Sequence, residues 1–281
     1  MRHEYFQIQV NYPESGLQKN EYTPVLEAWL LQQSQELPRQ NKRPAVIVCP
    51  GGGYAFRSDR EGEPIAMRFL AAGIHAFVLH YSVAPSRYPC ALLELAAAVK
   101  LVREHAEDFG VYADQIYIAG FSAGGHLCAS LGTLWEESVI QQTLGGESRA
   151  WRPNGMILSY PVITMGEYTH QGSRDCLLGP NASMEMIQAL SLELRVTPNT
   201  VPAFLWHTYE DGAVPVENAM LFAMSLRQAG IPFEMHVYES GGHGLSLCDA
   251  TTSNGPEQMV PDNAGWMQLA IRWIWQKAEK Q

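Results

Sequence analysis

Six short apolar runs punctuate the chain from about residue 44 onward: AVIVC (45–49), HAFVLHY (75–81), QIYIAG (115–120), GMILSY (155–160), PAFLWH (202–207) and FEMHVY (233–238). Pro, Gly or Asp residues bound them, the pattern of strands buried on both faces of a sheet. Longer stretches between them carry apolar residues three and four apart, which predicts helices over Glu63 to Ala72, Ala91 to Glu107, Gly125 to Leu134, Val216 to Ala229 and Asn263 to Lys277. Gly73 and Gly230 stand as C-terminal stops. Strand alternating with helix predicts an α/β fold, a mainly parallel central sheet with helices on both faces.

Two segments depart from the alternation. The first 43 residues hold a weaker strand at FQIQV and a candidate helix from Pro24 to Leu31; they read as an N-terminal extension that covers the mouth of a site. Residues 161–200 form a connection longer than compact domains usually carry without a purpose, and they read as a small cap or pocket insertion. With 281 residues, the chain is near the upper size for a single core, so residues 1–281 are assigned to one domain.

Charge narrows the partners. Nineteen Lys and Arg against 29 Asp and Glu leave a formal charge of −10, and no basic run exists to neutralise phosphates, which argues against nucleic acid and for an uncharged small-molecule substrate. Cys49, Cys90, Cys128, Cys176 and Cys248 are scattered and show neither CxxC pairing nor zinc-like spacing, so the expectation is reduced thiols, no metal and a cytoplasmic location. The opening MRHEYFQIQV has no basic-then-apolar signal pattern, and no run of about eighteen apolar residues could span a bilayer. Without secretion, Asn181-Ala-Ser is read as a chance match to a glycosylation acceptor. The composition is compatible with a homo-oligomer.

The chemistry concentrates where strands end. Gly120-Phe121-Ser122-Ala123-Gly124 matches G-x-S-x-G directly after the strand QIYIAG and directly before a helix, the context that lifts a serine onto a strained turn. A serine hydroxyl is a poor nucleophile at neutral pH unless a base takes its proton, so a histidine with an orienting acid is required downstream. His243, set among Gly241, Gly242 and Gly244 after the last strand, is the candidate base; His126, on the helix that follows Ser122, is its rival. Asp211, in the loop after PAFLWH, is the candidate acid, with Glu210 the alternative. Pro50-Gly51-Gly52-Gly53-Tyr54 follows the first strand, and its glycines let backbone N–H groups approach an oxyanion; Gly52, Gly53 and Ala123 are the expected donors. The glycine cluster lacks the Lys-Ser/Thr pair of a phosphate loop.

Taken together, PGGGY (50–54), YSVAPSRYP (81–89), GFSAGGH (120–126), the segment 189–219 and GGHG (241–244) resemble the bacterial acetyl esterases of the α/β-hydrolase superfamily, close to its hormone-sensitive-lipase-like and acetylxylan-esterase-like members. The likeness covers about residues 44–277. It implies an α/β-hydrolase fold and a cofactor-free carboxylesterase acting on short acyl groups, often acetyl groups on sugars or xylo-oligosaccharides. Two positions depart from the pattern: Pro50 stands where related lipases carry histidine, and Glu210 where some relatives have aspartate. Trp, Met and Leu residues of the cap are expected to close around a small acyl group. The alternatives are a peptidase or amidase on the same fold, and a non-catalytic binding module.

Overall fold

The computed structural model describes residues 1–13, 17–37 and 41–278. Of the N-terminal extension, residues 14–16 and 38–40 therefore lie outside the described residues, as do the last three residues of the chain. The strands are β1 (Arg2–Gln7), β2 (Val25–Leu30), β3 (Arg43–Cys49), β4 (His75–His80), β5 (Val111–Phe121), β6 (Gly155–Ser159), β7 (Ala203–Thr208) and β8 (Phe233–Tyr238). They form one sheet in the order β1-β2-β4-β3-β5-β6-β7-β8. Strands β3 to β8 run parallel, whereas β2 pairs antiparallel with both β1 and β4.

The helices are α1 (Glu63–Ala71), α2 (Cys90–Glu104), α3 (Ala106–Phe109), α4 (Ala123–Leu134), α5 (Ser138–Leu144), α6 (Gln171–Leu178), α7 (Met184–Ala189), α8 (Glu217–Gln228) and α9 (Trp266–Ala278). They cover both faces because successive strand residues point to opposite sides. Along β3, Ala45, Ile47 and Cys49 face a core shared with Leu95 of α2, Leu127 of α4 and Phe222 of α8. Val46 and Val48 face the other core, built with Phe69 of α1 and Trp266 and Trp273 of α9. Burying each such side chain contributes roughly 1.5–3 kcal/mol, so both helical layers are needed to hold the sheet.

Two expected elements differ. The segment 24–31 holds the strand β2, Val25–Leu30, and not a helix: Leu26, Ala28 and Leu30 enter one core while Trp29 enters the other. Between them Glu27 accepts from Tyr5 Oη (2.8 Å) and meets His3 Nε2 (2.7 Å) and His80 Nε2 (3.0 Å) across the neighbouring strands. The helix expected over 91–107 is split, with α2 ending at Glu104 and the short α3 closing on Gly110, whose φ is 69°.

The insertion 161–200 carries α6 and α7 between β6 and β7. It is tied down by Asn218 of α8, whose Oδ1 accepts from the N–H groups of Ile163 (2.9 Å) and Thr164 (3.1 Å). No described helix is long and apolar enough to cross a membrane.

Candidate active site

Ser122 sits on the turn between β5 and α4 with φ 52° and ψ −117°, a conformation a non-glycine residue holds only when its surroundings impose it. Three backbone bonds impose it here. Ser122 N–H donates to Ser159 O (3.0 Å), and Ser122 O accepts from Val162 N–H (3.1 Å) and His126 N–H (3.1 Å). The flanking glycines have a steric reason. A Cβ on Gly120 would lie 2.1 Å from the Gly124 oxygen, and one on Gly124 would lie 2.1 Å from the Cys49 oxygen.

Two loops from farther along the sheet meet this serine. His243 Nε2 lies 2.8 Å from Ser122 Oγ, and His243 Nδ1 lies 2.6 Å from Asp211 Oδ2. The other Asp211 oxygen accepts from the N–H groups of Ala213 (3.0 Å) and Val214 (2.9 Å). Burial pushes the Asp211 carboxyl up, but hydrogen bonds from His207 and His243 and the N–H of Val214 outweigh it and hold the group well below the usual carboxylate range. Glu210 points elsewhere, its carboxylate accepting from Gly241 N–H (3.0 Å) at the surface.

The glycine loop after β3 completes the cleft. Gly52 and Gly53 adopt φ of 122° and 64°, and the Gly52 carbonyl accepts from Ala55 N–H (3.0 Å) and Phe56 N–H (3.2 Å). This turn leaves the N–H groups of Gly52 and Gly53 without a backbone acceptor among the described residues. Ala123 opens α4, where the first N–H groups of a helix have no partner within it and the helix dipole favours negative charge.

A family model matches residues 35–226, that of BD-FAE. The chain belongs to the BD-FAE family. It is 42% identical over 214 residues to the endo-1,4-beta-xylanase B of Butyrivibrio fibrisolvens, covering 74% of this chain and 33% of that protein. To the acetylxylan esterase of Xylanibacter ruminicola it is 29% identical over 238 residues, 83% of this chain and 47% of that protein. The chain thus spans less than half the length of either curated relative. Among solved structures, the acetyl ester-xyloside bifunctional hydrolase of Caldicellulosiruptor lactoaceticus is 33% identical with a TM-score of 0.78, covering 95% of this chain and 97% of that one. The fold of this BD-FAE chain is that of the α/β-hydrolases.

Rival readings of single residues separate on the geometry. In this BD-FAE chain His126 is fully buried, with Nδ1 3.0 Å from Tyr54 Oη and Nε2 3.0 Å from Leu190 O, so it braces α4 against the insertion. His207 is fully buried, with Nε2 2.9 Å from Val214 O and 3.3 Å from Asp211 Oδ2. The Trp, Met and Leu residues expected to close the cap do not line the cleft. Residues 161–200 contain no Trp, and Met184 and Leu194 are exposed. The insertion contributes His170, Gly172 and Cys176 instead.

Two residues of the cleft escaped the sequence reading. Glu61 is buried, its carboxylate accepting from Gly51 N–H (2.8 Å) and from Tyr160 Oη (2.6 Å). Burial pushes the Glu61 carboxyl above its ordinary range, against those two bonds. In D-R-E-G-E it looks like a solvated acidic turn, and no periodicity marks it. His170 accepts the Ser173 N–H at Nδ1 (3.1 Å), so the neutral ring carries its proton on Nε2. Burial, with His243 nearby, lowers its pKa and favours that neutral form.

Burial lowers both His75 and His126 to about 4. Unfolded histidine titrates near 6.5, so as pH falls the unfolded chain takes up protons first; this contribution is whole above about 6.5 and is lost down to about 4. In urea unfolding, the free energy is expected to fall across that window by about 1.4 kcal/mol per pH unit for each of these histidines. His126→Gln should flatten the slope by about one proton. A slope identical in the variant would contradict the assignment.

Proposed function

We propose that this BD-FAE chain is a serine carboxylesterase that cleaves short acyl esters, acetyl groups on sugars or xylo-oligosaccharides above all, through an acyl-enzyme on Ser122. The observation that carries the proposal is the line from Ser122 Oγ to His243 Nε2 (2.8 Å) and from His243 Nδ1 to Asp211 (2.6 Å). Along it, His243 takes the serine proton as Oγ attacks the ester carbonyl. Asp211 keeps the Nδ1–H tautomer and stabilises the imidazolium. The N–H groups of Gly52, Gly53 and Ala123 receive the oxyanion, each such donor contributing about 3 kcal/mol to the transition state. The alcohol leaves with the proton from His243, and water repeats the sequence on the acyl-enzyme.

Substrate size and polarity follow from the cleft. Its volume is 430 Å³, with Ala55 and Phe56 forming apolar wall and His170 standing across from Gly53. A neutral His170 offers an N–H to an uncharged oxygen, which suits the hydroxyl or ring oxygens of a carbohydrate. The names of the Xylanibacter and Caldicellulosiruptor relatives point the same way. Neither the site nor these relatives lend support to the amide-cleaving alternative.

The expected result is release of acetate from acetylated xylo-oligosaccharides, and turnover of p-nitrophenyl acetate about tenfold or more above that of the octanoyl ester. A fluorophosphonate probe should add one mass increment, located on Ser122. A preference for octanoyl would sink the small-acyl assignment, and formyl-amide turnover exceeding ester turnover would favour the amidase. An unmodified Ser122 after exposure to the probe would sink the serine mechanism.

A further inference from the structure

We propose that Glu61 is a positioning residue that, acting through Tyr160, holds the oxyanion loop and the histidine loop in a single register. The inference rests on the serine-esterase reading of this site. Those two loops belong to opposite ends of the chain, one following β3 and the other following β8, and neither is a regular element that fixes its own position. One buried carboxylate joins them. Its Oε2 accepts from Gly51 N–H (2.8 Å), at the root of the glycine loop, and its Oε1 accepts from Tyr160 Oη (2.6 Å). Tyr160 Oη in turn accepts from the N–H of Ser246 (2.9 Å), three residues beyond His243.

Further bonds close the same link. Ser246 Oγ donates to Arg60 O (2.7 Å), the Arg60 guanidinium donates to Gly244 O (2.8 Å), and Trp266 Nε1 donates to Ser246 O (2.9 Å). The Tyr160 ring stands edge-on to the His243 imidazole, centroids 5.1 Å apart. Gly51 acts as the spacer between this carboxylate and the nucleophile. A Cβ there would lie 2.7 Å from Glu61 Oε2 and 3.0 Å from Ser122 Cβ.

The departure at Pro50 explains why such a brace is needed. Proline places no hydrogen-bonding side chain in front of the glycines, and the loop is held from behind, by Tyr81 Oη on the Pro50 carbonyl (2.5 Å) and by Glu61 on Gly51. Oxyanion donors act only when held within about 0.5 Å of the productive geometry, so a brace shared with the base bears on turnover more than on binding.

The two substitutions that cut this link differ in chemistry. In Glu61→Gln the amide oxygen still takes the Gly51 N–H, but the NH2 group faces a Tyr160 oxygen already receiving the Ser246 N–H, so the tyrosine proton loses its acceptor. Tyr160→Phe keeps the ring against His243 and removes the oxygen alone. Because both break the same connection, their effects should not add.

On p-nitrophenyl acetate, each variant is expected to lose about 10- to 50-fold in kcat with KM within about twofold, as for an interaction realised in the transition state. The double variant should fall no more than about threefold below the weaker single one. Glu61→Ala should fall at least about tenfold below Glu61→Gln, since the amide retains the Gly51 bond. A Glu61→Gln enzyme with wild-type kcat, a loss carried by KM alone, or a double variant in which the two losses multiply would each overturn the proposal. If Glu61→Gln fails to fold, Tyr160→Phe is read by the same kcat and KM criteria, since it deletes one atom. Ser122→Ala assayed alongside separates the two failures: if it is inactive while Glu61→Gln turns over normally, the inference fails and the serine mechanism stands.

Discussion

Under the proposed mechanism, replacing Ser122 with alanine is expected to lower kcat on p-nitrophenyl acetate by on the order of 10⁶-fold, the scale seen when a serine hydrolase loses its nucleophile. The covalent route disappears with Oγ, and what remains is the contribution of the oxyanion donors and of substrate binding. Folding should survive. The residue is 7% exposed, alanine is smaller, and the three backbone bonds that impose φ 52° on the turn do not involve the side chain. The test is steady-state turnover of the purified variant together with loss of fluorophosphonate labelling. Wild-type turnover would remove Ser122 from the mechanism, whatever the distances.

Asp211→Asn should cost about 10⁴-fold in kcat, and the surroundings of the side chain say why. The Oδ1 position receives the N–H groups of Ala213 and Val214, so an asparagine must keep its carbonyl oxygen there and turn its NH2 toward His243. Nδ1 of the imidazole, 2.6 Å from Oδ2 in the wild type, would then accept instead of donate, moving the ring proton to Nε2. A protonated Nε2 cannot take the proton of Ser122. Glu210→Gln, by contrast, changes only a surface bond to Gly241 and should lose less than about threefold. Comparable losses in the two variants would show that the acid had been misassigned.

The six strands from residue 44 onward were legible because apolar period and bounding turn residues are local properties, and they are the parallel strands β3 to β8 of the observed sheet. The segment 24–31 was not. VLEAWL reads as a helix beside Pro24, and it becomes a strand because His75–His80 supplies an open edge some fifty residues later. The lining of the cap was misjudged for a related reason: hydrophobic residues of an insertion go where they can be buried, so Leu177, Leu190 and Leu192 joined the main core and left polar and small residues facing the cleft. Glu61 and His170 gave no signal at all, since an acidic turn and a lone histidine acquire meaning only from what stands opposite them.

By itself, then, the sequence determined the parallel sheet, the glycine-flanked serine turn and a short set of candidate partners at strand ends, because periodicity, turn chemistry and the needs of a nucleophile are written in neighbouring residues. Only the tertiary structure decided that His243 and not His126 stands 2.8 Å from Ser122, that Asp211 and not Glu210 faces the imidazole, and that Glu61 joins two loops nearly two hundred residues apart. Those outcomes depend on how packed helices and sheet register bring distant loops together, and that is a property of the whole core rather than of any segment.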